Sequence, residues 1–310
     1  MLEYFQITGE KIKEVTKPVK HGWVNAVSPT LGELQELQKL VPVESDLLNE
    51  LQDIDEIPMI SRNRNFVFII LRTPQKNPGN QDLEYSTIPL GIIISSNYFI
   101  TISSMKNDVI ESFKTMLLAF KGMQPVLKLF LATSEMYMSY LKQINKKIYS
   151  IQGKLEQTAS NKGVLRLLSL EKSLVYFRTS LKSNEFLFER FARNGDFIHL
   201  KENKELMAEV LDENRQAIEM TRIYSTILSG MMNALSYIIS NNLNTVIKLL
   251  TSVTVILMIP TLVASLYGMN VALPFEDSPN AFFIIVIFTL LFSIIGVLAV
   301  KLSDKQPTTL

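Results

Sequence analysis

Tyr267-Gly268-Met269-Asn270 closes one long apolar run and opens the short loop before a second. If those runs cross a membrane, the tetrapeptide sets an amide side chain where a helix meets water. Upstream, Asn233, Tyr237, Ser240, Asn244, Ile247, Thr251, Thr254, Met258, Thr261 and Ser265 recur at alternating steps of three and four. A repeat of 3.5 turns one face of each helix toward a common axis in a left-handed bundle. This face carries amides and hydroxyls, whereas neighbours such as Val253, Val255, Ile256, Leu257, Leu262 and Val263 are apolar. Polar groups inside a membrane need a partner or water, so several identical helices around an aqueous path is the economical reading. With acidic Glu276 and Asp277 just past the amide, the chemistry is that of a cation path. Tight helix packing through small hydroxyls would account for Thr251, Thr254 and Thr261 taken alone; the continuity from Asn233 to Ser265 favours the path.

The membrane runs are bounded by charge. Residues 249–275 and 278–300 contain no Asp, Glu, Lys or Arg, and each exceeds the roughly 20 residues a spanning helix requires. Spans are expected at about 246–267 and 280–300. Lys248, Lys301 and Lys305 flank the outer ends of the pair and the loop between holds no basic residue, which places both termini in the cytoplasm of a two-span cell-membrane protein. The rest of the composition narrows the classes. In 310 residues, 47% hydrophobic with net charge +1, nothing supports nucleic-acid binding, and the absence of cysteine removes disulfides and thiolate chemistry. No Gly-x-x-x-x-Gly-Lys-Ser/Thr nucleotide motif and no catalytic constellation is present, so an enzyme is not expected. The charged residues in positions 1–15 argue against a cleaved leader.

Three regions are expected to position the path: 1–122, 123–243 and 244–310. In the first, residues 67–71, 90–94 and 98–102 read as strands separated by turn-rich 74–80 and by 95–97. Thr30 with Glu33 makes a capping box for a helix to about Leu40, and Ser45 is expected to cap another to about Asp53. The fold class is α+β, a mixed sheet flanked by helices. Residues 126–157 and 164–193 read as a helical hairpin, and one helix is expected from about Lys204 to Tyr267, on the order of 90 Å long and mostly cytoplasmic stalk. Trp23 reads as core, the Lys142, Lys146 and Lys147 stripe as solvated surface, and His21 and His199 are too isolated to be ligands.

Gly268-Met269-Asn270 at this membrane boundary resembles the Gly-Met-Asn signature of the CorA magnesium transporter family. The 171–177, 240–244 and 259–262 stretches resemble family segments as well. The resemblance implies a homopentamer with a funnel-shaped cytoplasmic domain and two C-terminal transmembrane helices, the first lining the pore. It also implies channel-like uptake of hydrated Mg2+, with Co2+ or Ni2+ as further candidates, driven by membrane potential. Gly268, Met269 and Asn270 would form the selectivity filter, with the Asn270 carbonyl bonding the ion's water shell. Gly268 would permit a close turn or simply cap the helix. Ile247, Leu250, Thr254 and Met258 match positions where the family narrows its channel; Asn244 and Thr261 would be polar stations, and Leu250 could equally be packing. Glu50, Asp53, Glu209 and Asp212 match the family's regulatory Mg2+ contributors. Asn233, neutral at the cytoplasmic mouth, and a tail with only Lys301 and Lys305 depart from the pattern. Open alternatives are a zinc transporter of the same superfamily and a membrane-tethered coiled-coil scaffold.

Overall fold

A computed structural model describes the chain apart from residues 9–10, 52, 54, 117–121, 156–160, 196, 198–199, 272–273, 275–278 and 304–310. His199, Glu276, Asp277 and Lys305 therefore lie outside the described residues, as do residues 158–160 of the expected break between the hairpin helices; residues 161–163, also expected in that break, are helical instead. The chain divides into two compact units, Met1–Met232 and Asn233–Leu310.

The first unit is built on one seven-stranded mixed sheet. Its strands are β1 (Leu2–Thr8), β2 (Lys11–Val15), β3 (Gly22–Val27), β4 (Met59–Arg62), β5 (Phe66–Lys76), β6 (Tyr85–Ser95) and β7 (Tyr98–Ser103), in the order β2-β1-β3-β7-β6-β5-β4. Among the described residues only the β3–β7 pair is parallel. Strand side chains alternate between faces, and both faces are covered. Val67, Ile69, Leu71, Leu90, Ile92, Ile94 and Phe99 pack with Trp23 under α3 (Asp108–Phe113), α4 (Gln124–Leu155) and α5 (Asn161–Ala192). Phe68, Ile70, Ile93, Ile100 and Ile102 pack under α1 (Leu31–Leu40) and α2 (Ser45–Glu50).

The sheet runs further than the sequence signals. Pro74, expected to open a turn, lies inside β5 opposite Thr87, and Pro89 lies inside β6 opposite Arg72. Each proline sits past the end of the strand's other neighbour: β4 pairs β5 only as far as Ile70, and β7 pairs β6 only from Leu90. An amide hydrogen missing toward an unoccupied edge costs no ladder bond.

Helix starts follow local chemistry. The Thr30–Glu33 capping box forms as expected, with the Glu33 amide donating to Thr30 Oγ1 at 3.3 Å and the Thr30 amide to Glu33 Oε2 at 2.8 Å. Ser45 is instead the first residue of α2, and its hydroxyl accepts from Gln38 Nε2 at 3.1 Å. That helix runs to Glu50, short of the expected Asp53, and Leu51 beside its end packs into a socket over Gly91. A Cβ on Gly91 would stand 2.4 Å from Leu51 Cδ1. Asp53 then closes a turn of its own, its carboxylate accepting from the Asp55 amide at 2.9 Å.

On the opposite face, Asn184 of α5 binds the Arg72 backbone twice, accepting from its amide at 3.0 Å and donating to its carbonyl at 2.8 Å. Tyr137 of α4 donates to the same carbonyl at 3.1 Å. These three bonds fix both hairpin helices to β5. The long helix α6 runs from Lys201 to Tyr267 through Pro260, and α7 spans Ala281–Ser303.

Candidate cation path and acidic groove

Within the second unit, α6 and α7 pack through small residues. On α7, Thr289 and Ser293 are buried and each returns its hydroxyl to the carbonyl four residues earlier, at 2.7 and 2.9 Å. Gly296 follows on the same face, where an added Cβ would lie 2.9 Å from Val255 Cγ1 and 3.4 Å from Ile259 Cδ1. Small residues at such spacing let two membrane helices approach closely. The matching face of α6 is the half-buried row Ser252, Val255, Ile259 and Val263.

The stripe singled out for the path lies elsewhere. Asn244, Ile247, Leu250, Thr251, Thr254, Met258, Thr261 and Ser265 are all exposed, roughly 120° around the helix from the row that meets α7, at 3.6 residues per turn. Packing of α7 thus leaves the stripe open. The hydroxyls along it have a common orientation: Thr251 donates to Ile247 O at 2.9 Å, Thr254 to Leu250 O at 2.9 Å and Thr261 to Leu257 O at 2.6 Å. A threonine whose hydrogen is committed to the preceding turn presents only an acceptor outward.

At the end of α6, the Gly268 amide donates to Ala264 O at 3.0 Å and the Met269 amide to Leu266 O at 3.2 Å, a last tight turn after which Asn270 is exposed. Gly268 is not among the glycines with positive φ. The turn therefore needs no left-handed residue at Gly268, and handedness does not explain the glycine. Tyr267 ties down the loop, its hydroxyl donating to Pro274 O at 2.9 Å. Sequence reading missed that strap; an aromatic beside a signature residue carries no signal of where its hydroxyl will bond.

Around both helices the surface is apolar. Leu249, Leu257, Leu262, Phe282, Phe283, Ile287, Phe288, Leu291, Phe292 and Ile294 are all exposed, far beyond the apolar patch a soluble monomer tolerates. Among the described residues α6 meets the length and apolarity needed to cross a bilayer, and α7 contributes an apolar 17-residue core, Phe282–Leu298, within its 23 residues.

The four acids are arranged less simply. Glu209 and Asp212 are exposed on α6 and line one groove of about 460 Å3 together with Glu205 and Glu213. Glu135 of α4 faces them, and its carboxyl is pushed above the usual range by burial and then by repulsion from Glu213 and Glu209. Sequence reading missed Glu135, Glu205 and Glu213, although Glu205, Glu209 and Asp212 already show the helical spacing of a shared face. Glu50 and Asp53 do not line this groove. One Glu50 carboxylate oxygen is buried without a hydrogen-bond partner among the described residues. No cluster of three or more acid or histidine side chains there has metal-holding geometry.

A family model described as "CorA-like Mg2+ transporter protein" matches residues 20–302. The chain belongs to this family. Among CorA proteins, the cobalt/magnesium transport protein CorA of Methanocaldococcus jannaschii is 26% identical over 272 residues, 85% of this chain and 84% of that one. The protein of the same name from Thermotoga maritima is 22% identical over 241 residues, covering 76% of this chain and 67% of that one. The complete structure of the M. jannaschii CorA magnesium transporter superposes with a TM-score of 0.81 at 23% identity, covering 96% of each chain. The CorA fold is thus shared from the mixed sheet through the long helix to the C-terminal helix.

Proposed function

We propose that this chain is one subunit of a homopentameric, channel-like transporter that carries hydrated Mg2+ across the cell membrane into the cytoplasm. The observation that carries the reading is the division of α6 into two faces: α7 covers the Val255–Ile259 side and leaves the row from Asn244 to Ser265 open. Five such rows around an axis would supply a wet passage lined by acceptor oxygens. Mg2+ gives up its water reluctantly, and the hydrogens of its water shell point outward, so acceptor oxygens suit it. A ring of Asn270 amides at the outer end would select the hydrated ion while holding it weakly enough to release. Ile247, Leu250 and Met258 are apolar interruptions of the row and serve as dewetting gates. The CorA relatives are named for cobalt as well as magnesium transport, and Co2+ and Ni2+ are secondary substrates.

The lysine flanks favour both termini in the cytoplasm, where the membrane potential contributes roughly 2.3 kcal/mol per charge per 100 mV, about 4.6 for a divalent ion. That suffices for uptake without a catalytic cycle. Glu209 and Asp212 on one protomer, with Glu50 and Asp53 on the next, would sense cytoplasmic Mg2+. The repulsion from Glu213 and Glu209 that adds to burial in raising the Glu135 carboxyl, and the unpartnered Glu50 oxygen, each favour a nearby cation.

Purified protein in liposomes, with a fixed inward-negative voltage, tests the reading. Wild-type protein takes up Mg2+, and Asn270→Ala abolishes uptake while remaining pentameric by size. An Asn270→Ala protein that conducts Mg2+ at the wild-type rate removes the amide ring from the mechanism.

A further inference from the structure

The first unit carries a basic cavity that cation transport does not use. It lies between the β5–β6 hairpin tip and the adjoining ends of α4 and α5, encloses about 500 Å3, and is walled by Lys76, Lys147 and Arg166. Buried Ser169 and Leu170 contribute to its lining. Among the described residues Glu84 is the single acid in the wall. It pairs with Lys147, and no carboxylate pairs with Lys76 or Arg166 among the described residues. Two positive charges are thus left over in a concave site of the size that holds small ligands.

The wall is preformed. Asn77-Pro78-Gly79-Asn80 is a tight turn, the Asn80 amide donating to Asn77 O at 3.2 Å, with Gly79 at φ +84 where a side chain would be strained. Proline followed by glycine in positive φ is the pattern of a type II turn. Asn77 Nδ2 donates to Leu83 O at 3.1 Å and to Ser86 Oγ at 3.0 Å, and Asn80 Oδ1 accepts from the Asp82 and Leu83 amides at 3.0 and 3.1 Å. Lys147 is held with its ammonium 5.3 Å over the Tyr85 ring. Burial, and after it repulsion from Lys76, depress its affinity for a proton. A solvated lysine stripe would show neither.

From this geometry we infer that the cavity binds a small polyanion carrying two or more adjacent phosphates. Neighbouring phosphates suit the three cations: the Arg166 guanidinium bonds phosphate oxygens in pairs, and the two lysines act as point charges. The ligand is a nucleoside polyphosphate or a free inorganic polyphosphate; both present the same chemistry. Binding here stands independently of the transport reading.

The test is calorimetric titration of the full-length protein in detergent with ATP, with inorganic tripolyphosphate and with orthophosphate, in magnesium-free buffer. Saturable binding of ATP or tripolyphosphate, at least tenfold tighter than orthophosphate, is expected. Equal affinity for the two assigns recognition to the phosphates alone, and preference for ATP adds the nucleoside. Lys76→Ala with Arg166→Ala weakens binding by about a hundredfold, near tenfold for each charge-assisted hydrogen bond removed. Glu84→Gln moves it the other way by freeing Lys147, and since it adds positive charge and removes no cation from the wall it guards against a folding artefact. Asn270→Ala leaves binding unchanged whether or not it transports. Absence of saturable binding, affinity equal to that of orthophosphate, or a double variant that binds like wild type would each overturn the site.

Discussion

Gly91→Ala offers a quantitative probe of how the sheet positions the Glu50–Asp53 segment. The added methyl would lie 2.4 Å from Leu51 Cδ1, 2.8 Å from Cδ2 and 3.1 Å from Cγ, against an ordinary carbon–carbon separation of about 3.5–4.0 Å. Leu51 is 5% exposed and packs among Leu48, Ile70 and Ile93. It cannot rotate away without opening a void. Overpacking of this kind costs about 1–3 kcal/mol. Leu51→Ala alone costs about 2–4 kcal/mol, the range for a buried leucine. In the double variant, the methyl introduced by Gly91→Ala occupies space that the leucine has vacated, so the two penalties must not add; a favourable coupling of about 1–2 kcal/mol is expected. The assay is urea unfolding of the full-length protein in detergent, followed by fluorescence of Trp23. Trp23 is the only tryptophan, is fully buried and stacks on Phe5 with ring centroids 4.6 Å apart. Strictly additive penalties, or a Gly91→Ala protein as stable as wild type, would refute the socket.

In the second unit, Gly296→Val drives a branched side chain into Val255 and Ile259 and should separate α7 from α6, read as a loss of the proposed pentamer in detergent; an unaltered size distribution counts against that packing. Tyr267→Phe deletes one hydrogen bond to Pro274, worth about 1 kcal/mol; hydrogen exchange at residues near Pro274 should quicken while that of α6 does not. Stability should also depend on pH through Glu3. Burial alone would raise its carboxyl, yet hydrogen bonds from Asn25 and Lys114 and the Lys114 charge outweigh burial and leave it lowered. A depressed folded-state value means the stabilisation is complete above the unfolded carboxylate range, near pH 4.5, and is lost as pH falls through the folded value. Lys114→Met should therefore flatten the acid limb of a Trp23-monitored stability curve, and an unchanged limb would refute the assignment.

Much of this was legible in the residues, for physical reasons that differ by element. The capping box at Thr30 and the long helical runs rest on local chemistry and periodicity, so the helices α1, α4, α5 and α6 emerged within a few residues. β5 extended beyond its expected end because whether a proline breaks a strand depends on where the neighbouring strands stop, which no local window records. The helix α2 ended short of Asp53, and the socket that takes Leu51 beside that end is opened by Gly91, 40 positions later in sequence, a contact no local window records. The stripe on α6 was visible as a 3.5 repeat. Which face α7 would cover was not, because it depends on Gly296, Thr289 and Ser293 acting together. Lys147 read as surface, yet it sits half-buried against Glu84 and Tyr85.

The committed hydroxyl hydrogens of Thr251, Thr254 and Thr261 have one more effect. Oxygens that cannot donate offer nothing to a chloride or phosphate, which needs a hydrogen to bind, so in the proposed passage these three threonines would favour a cation over an anion without carrying any formal charge. Nor does any group on that row gain or lose a proton near neutrality. The contribution that these backbone-anchored dipoles would make to cation preference in the proposed passage would persist unaltered as the surrounding medium turns acidic or alkaline.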